Sequence, residues 1–300
     1  MNNEQRTNKA FTLIELVVAI AILVMMISFA GVIFKVSINS HRTAMANTEI
    51  MQKLRAITDQ LNRDFKGLRR DGYLILHSDM LSRKEYVSSA APADFRADRV
   101  FYFSTGDFQS WFGANIRSNL TKVYFGHDKF SLDPMLDRVV SKWSLARDVK
   151  LITPGLSMID SNSLSYAGFK ADVPVTETYA KSLLIAGIPI DIQANPDDVR
   201  GLMCRNVGEI KIEWTDGTKA GNDMILWYGL MMPKGPMMPN GTSVEEVGLL
   251  PPDPPYRATW TPLIREQYWP RALKFTFKLY DSRGILKEGR LFSHIVYFGD

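Results

Sequence analysis

Two hydrophobic periods run along this chain, and one gives way to the other near residue 72. From Phe11 to Phe34 the run is apolar, lacks proline and holds one charge, Glu15. At about 1.5 Å per residue such a helix covers about 36 Å, enough for a bilayer core of about 30 Å. Beyond it the composition turns polar but the helical period persists. Ile50, Leu54, Ile57, Leu61, Phe65 and Leu68 step by three or four and line one face, with Lys53, Arg55, Asp59 and Arg63 between them. No proline stands between Phe11 and Gly72, and Gly72 after Arg69-Arg70-Asp71 reads as a stop signal. The pattern predicts one long helix with a membrane-spanning half, residues 11–34, and an amphipathic half, residues 35–71.

From residue 72 onward the period shortens to two. Arg99 to Phe103 and Lys122 to Phe125 are short aromatic and β-branched runs. In Gly208–Trp214 the alternation places Ile210, Ile212 and Trp214 inward and Lys211 and Glu213 outward. Asp216-Gly217 is a turn, and Met224 to Leu230 reads as the return strand. Leu273, Phe275, Phe277 and Leu279 share a face opposite Lys274, Thr276 and Lys278, and Arg290 to Phe298 closes the chain after an Asp281–Gly284 turn. Residues 131–205 are less regular, with a short helix or irregular insertion expected around Asp137–Lys150. The predicted class is α+β: a long transmembrane-plus-amphipathic N-terminal helix packed on a mainly antiparallel β head, residues 72–300.

Composition supports a folded chain: 46% hydrophobic and 23% charged, with six Trp, eleven Tyr and sixteen Phe, which excludes wholesale disorder. The net charge of +4 is scattered among acids rather than gathered on one face, so no nucleic-acid binding is expected. Cys204 is the sole cysteine, which rules out an intrachain disulfide and a multi-cysteine metal site. His41, His77, His127 and His294 are dispersed, and no phosphate-binding loop or nucleophile elbow occurs. No catalytic residue, metal or cofactor is therefore assigned, and the chain is read as a non-enzyme. Met231, Met232, Met237 and Met238 could ligate Cu(I), but soft thioethers more often fill gaps or make adaptable protein contacts. Pro251–Pro255 suits an extended polyproline stretch.

Arg6 and Lys9 precede the apolar run, which leaves residues 1–10 in the cytoplasm and the remainder across the membrane. On Lys9-Ala10-Phe11-Thr12-Leu13-Ile14-Glu15-Leu16 the chain resembles the type IV pilins and type II secretion pseudopilins. The resemblance implies a pilin-like fold and a prepilin peptidase that removes leader 1–10. The cut falls between Ala10 and Phe11, Phe11 becomes the N-methylated terminus, and Glu15 is the fifth mature residue. Ala10 stands where glycine is usual, and Gly31-Val32 occupy the region where mature pilins commonly carry a proline.

A second resemblance rests on Val207–Asp216 and Trp269-Pro270-Arg271-Ala272-Leu273-Lys274-Phe275, similar to J-type minor pseudopilins and W-type minor pilins. It implies a single-pass subunit of the bacterial inner membrane with a periplasmic head. That subunit would assemble with other minor and major pseudopilins or pilins near a filament tip. Glu15 and Phe11 are then the assembly residues, the carboxylate of one subunit meeting the terminal amine of its neighbour. The alternatives are a minor type IV pilin serving adhesion, motility or DNA uptake, and a membrane-anchored binding protein that never polymerises.

Overall fold

The computed structural model describes residues 12–78, 80–83, 93–109, 117–128, 140–153, 164–165, 196–219, 221, 223–229, 243–246, 256–261 and 269–298. The chain divides into two compact units, Met1–Thr48 and Glu49–Asp300. One helix, α1 (Leu13–Lys66), begins in the first unit and ends in the second. The strands follow in chain order as β1 (Leu74–Ser78), β2 (Met80–Arg83), β3 (Ala93–Arg96), β4 (Arg99–Gln109), β5 (Arg117–His127) and β6 (Ser144–Thr153). Next come β7 (Leu164–Ser165), β8 (Leu202–Arg205), β9 (Val207–Thr215) and β10 (Tyr228–Gly229). The last are β11 (Ser243–Glu246), β12 (Tyr256–Trp260), β13 (Ala272–Leu279) and β14 (Arg290–Tyr297).

In the second unit an eight-stranded sheet runs β11-β12-β1-β4-β5-β6-β7, with β8 joined to β6, and a four-stranded sheet runs β10-β9-β13-β14. A hairpin, β2-β3, stands apart. Among the described strands every pairing is antiparallel except the short β6–β7 contact, and an isolated parallel bridge joins Ala97 to Ile210. One core lies between the two sheets and the helical stripe. Ile50, Ile57, Leu61 and Phe65 are buried with Leu74, Leu76, Val100, Tyr102, Val123 and Phe125 of the larger sheet and with Ile210, Ile212, Leu273, Phe275 and Phe277 of the smaller. Phe65 is the hinge of this packing: its ring stacks on Tyr102 at 4.2 Å and lies 5.6 Å from both Phe275 and Phe298. Trp214 meets Trp260 edge-on at 5.4 Å across the sheets. The far face of the larger sheet is buried too, through Tyr73, Ile75, Phe101, Phe103 and Tyr124, which is why β1 reads as a continuous buried run rather than an alternating one.

Three sequence expectations need correction. First, α1 ends at Lys66, not at Gly72. The Gly67 carbonyl accepts the Thr105 N–H at 2.7 Å and the Thr105 hydroxyl at 3.1 Å, so β4 captures the chain and stops the helix. Second, within the expected short helix or irregular insertion around Asp137–Lys150, the described residues from Val140 form a 3-10 turn at Val140–Lys142 that leads into β6, which pairs with β5 along Thr121–His127. The charges in Ser144–Thr153 disguise the strand, and Arg147 tolerates its inward position because Asp64 of α1 meets it there. Third, among the described residues of the expected return strand, only Tyr228–Gly229 pairs with β9. Gly217 and Asp223 both adopt positive φ, so the chain first doubles back through an isolated Lys219–Ile225 bridge. The remaining strand expectations match: β9 and β13 pair directly, alternate in burial, and put Ile210, Ile212 and Trp214 on the core side with Leu273, Phe275, Phe277 and Leu279.

Candidate functional site at the start of the long helix

Helix α1 opens on Thr12-Leu13-Ile14-Glu15. Thr12 is the N-cap: the Glu15 N–H donates to its hydroxyl at 3.4 Å. Glu15 reaches back, its Oε2 accepting the Thr12 N–H and the Thr12 hydroxyl, each at 2.9 Å. This reciprocal arrangement is a capping box, which satisfies otherwise orphaned donors of the first turn and sets a negative charge at the positive end of the helix. The T-x-x-E spacing just before an apolar run signals it, a signal that reading Glu15 only as an oddity in a membrane span overlooks.

Behind the cap, side chains from Leu13 to Phe34 are exposed to whatever surrounds the unit. Glu15 is the sole charge from Thr12 to Phe34. Ser28 donates to the Val24 carbonyl at 2.8 Å, so its hydroxyl is satisfied inside the helix. The helix is long and apolar enough to cross a membrane. At Gly31 a Cβ would meet open space. Ala10 and Phe11, expected to flank the cut, lie outside the described residues, as do Met231, Met232, Met237, Met238 and Pro251–Pro255.

In the second unit the ionisable groups are used for packing. Asp64 accepts a two-point bond from Arg147 at 2.6 and 2.7 Å and a third from Gln60 at 2.8 Å. Asp98, fully buried, pairs with Arg96 and accepts the Ile212 N–H at 2.7 Å, while its own N–H reaches the Ile210 carbonyl. That ties the start of β4 to β9 and so joins the two sheets. Burial, with help from the Arg99 and Arg257 cations on either side, pushes His77 down to about 3. Burial likewise pushes His127 down to about 4, and its Nε2–H donates to the Gly208 carbonyl at 2.6 Å. Both imidazoles are neutral at physiological pH. Burial raises the Cys204 thiol to about 11, which keeps it an inert filler. His294 bonds Asn62 of α1 at 2.9 Å. Among the described residues no three His, Cys, Asp or Glu side chains converge to hold a metal.

Residues 5–31 match the prokaryotic N-terminal methylation motif. No curated protein and no solved structure matches the chain.

Proposed function

We propose that this chain, whose N-terminal methylation motif is that of the type IV pilin and pseudopilin family, is a J-like minor pseudopilin of a type II secretion system. It serves as a structural subunit rather than a catalyst. The observation that carries the reading is the motif over residues 5–31, sitting on a capped apolar helix that continues into an α+β unit. The J-like assignment is supported by β9 and β13, the strands that bear the second resemblance, which pair in register from Ala272–Thr215 to Phe277–Ile210.

In this reading the apolar half of α1 stores the subunit in the inner membrane, N-terminus cytoplasmic, with residues 72–300 as a periplasmic head. Prepilin peptidase cuts after Ala10 and methylates Phe11, creating an amine that did not exist before. In the filament, Glu15 of one subunit meets that amine on a neighbour. A carboxylate and an ammonium removed from water offset each other only in good geometry, so a subunit seated out of register leaves both uncompensated. The pair therefore selects register more than it adds net stability.

Co-production with a prepilin peptidase, followed by intact-mass analysis, tests the reading. The expected product lacks residues 1–10 and carries one methyl group on Phe11. An unprocessed chain refutes it. Glu15→Ala is expected to be cut but to enter filaments poorly, and wild-type incorporation of that variant removes Glu15 from assembly. Deleting the gene separates secretion from pilus function: loss of exported protein supports the pseudopilin, while loss of surface fibres with export intact supports a minor type IV pilin.

A further inference from the structure

Three chain connections of the second unit meet beside the turns of α1 that carry Glu49 and Lys53. They are the 3-10 turn Val140–Lys142, Asn206 between β8 and β9, and residues 280–289 between β13 and β14. Together they line a cavity of about 470 Å³, inside the range of about 300–1,000 Å³ typical of ligand sites.

The frame of this cavity is closed by bonds within the chain. Asn206, at φ 64°, donates from Nδ2 to the Ser141 carbonyl at 3.1 Å, and its own carbonyl accepts the Tyr280 N–H at 2.9 Å. Lys53 donates to the Tyr280 carbonyl at 2.9 Å and pairs with Glu49 at 2.7 Å. Glu49 in turn accepts the Ser282 N–H and hydroxyl, each at 3.0 Å. Asp281 also lines the cavity, but its carboxylate accepts the N–H groups of Arg283, Ile285 and Leu286 and is committed to its own turn. Two charges of the lining are left over. Lys142 and Lys287 are exposed, come from different connections, and meet no carboxylate among the described residues. By contrast Lys53, Lys150, Lys211, Lys219 and Lys274 each pair with an acid of their own unit. Leu286 and Tyr280 supply an apolar part of the wall.

We propose that this cavity takes a glutamate side chain of a partner subunit, the two ammonium groups binding its carboxylate and Leu286 and Tyr280 covering its methylene stem. The inference rests on the filament reading above and gives a partner one place on the head to dock. Charge and shape select this ligand. Lysine ammoniums are compact point charges, which suit a lone carboxylate. A phosphate group is matched better by an Arg fork or by a row of free backbone N–H groups. Here the N–H groups of Ser282, Arg283, Ile285 and Leu286 are already bonded inside the chain. The exposed lysines leave the cavity open to a side chain carried on a larger body.

Amine acylation of the full-length chain in detergent, read by peptide mass mapping, tests the site. The probe is acetyl-Leu-Glu-Leu-amide, with the Gln peptide as its uncharged twin. At about ten times its dissociation constant, the Glu peptide is expected to slow acylation of Lys142 and Lys287 about tenfold. Exposed Lys66 should react as before. No protection, or equal protection by the Gln peptide, overturns the proposal. Equal protection by inorganic phosphate marks a general anion site and overturns the choice of ligand. In cells that assemble the filament, a chain with Lys142→Gln and Lys287→Gln is expected to enter it several-fold less than the parent. A chain with Lys142→Arg and Lys287→Arg, which keeps both charges, should enter as the parent does. If the parent is cut and methylated and the Gln pair enters equally well, the docking role is overturned while the filament reading stands. An uncut, unmethylated parent refutes the filament reading, and the partner with it, whatever the acylation shows.

Discussion

Removing the carboxylate of Asp64 tests whether the last turns of α1 are held by a buried ion pair or by apolar packing alone. Asp64 is 3% exposed and Arg147 21% exposed, with the two-point contact at 2.6 and 2.7 Å and the Gln60 bond behind it. Asp64→Ala leaves a mostly buried guanidinium without its counter-charge. Breaking one partner of such a pair costs about 3–5 kcal/mol when burial is complete, and the partial exposure of Arg147 brings the expectation to about 2–4 kcal/mol. For a unit of this size each kcal/mol moves the midpoint by about 2–4 °C, so a fall of about 5–15 °C is expected. The assay is thermal unfolding of the detergent-solubilised chain followed by tryptophan fluorescence. Trp214, Trp260 and Trp143 are buried in the same unit and report its opening. The paired change Asp64→Leu with Arg147→Met should recover most of the loss, because two apolar groups of similar size leave no orphan charge. If the double variant is as unstable as Asp64→Ala, the loss came from disturbed packing and the electrostatic account is wrong.

Gly67→Ala should be costlier than a surface glycine change. Its Cβ would fall 1.9 Å from the Thr105 carbonyl oxygen, a backbone atom that cannot step aside. Overpacking of this kind costs about 1–3 kcal/mol or more, and an unfolding midpoint equal to wild type would refute the capture of Gly67 by β4. The buried histidines predict a pH slope with a definite sign. His77 and His127 titrate near 3 and 4 when folded, below the value of about 6.5 for a free imidazole. The unfolded chain thus binds more protons in that window. Stability is retained above pH 6.5 and falls as pH drops toward 4, by about 1–2 kcal/mol per histidine between pH 6.5 and 5. Urea midpoints at those two pH values should shift less in His77→Gln than in wild type, and an identical shift would contradict the burial argument.

How much of this could be read from the sequence depended on whether a residue's partner was local. The helix stripe from Ile50 to Phe65 and the alternation in β9 and β13 depend on spacing alone, and the structure buries the residues that spacing selects. The cap at Thr12 and Glu15 was equally local and equally legible, but the membrane context drew attention to the charge and away from its spacing. By contrast, β6 looks unlike a core strand until Asp64, 83 residues earlier, neutralises Arg147. The end of α1 is likewise set by Thr105, which is 38 residues from Gly67. The return to β9 was hidden because Asp223, not a glycine, takes the left-handed conformation at the second turn. The misses at β6 and at the end of α1 are long-range contacts that no window of neighbouring residues contains.

The cap also changes how Glu15 should be understood. An acid at the edge of an apolar span looks like a cost that only a partner subunit can relieve. Here its own chain already supplies two donors, both to Oε2, and both come from Thr12. Among the described residues no donor meets Oε1. A carboxylate has about four lone-pair sites, so one oxygen can hold the helix start while the other stays available. In the proposed filament, the amine created at Phe11 of a neighbour could then bond Oε1 without dissolving the cap. The division of labour matters for register. If docking required the cap to break, the new pair would have to overcome the loss of a helix terminus before it discriminated between right and wrong seating. With the cap intact, the carboxylate is already oriented by its own helix, and the free oxygen presents one direction of approach. Glu15 is then a positioned acceptor from the moment the helix forms, and in the proposed filament assembly would depend on bringing the amine to it.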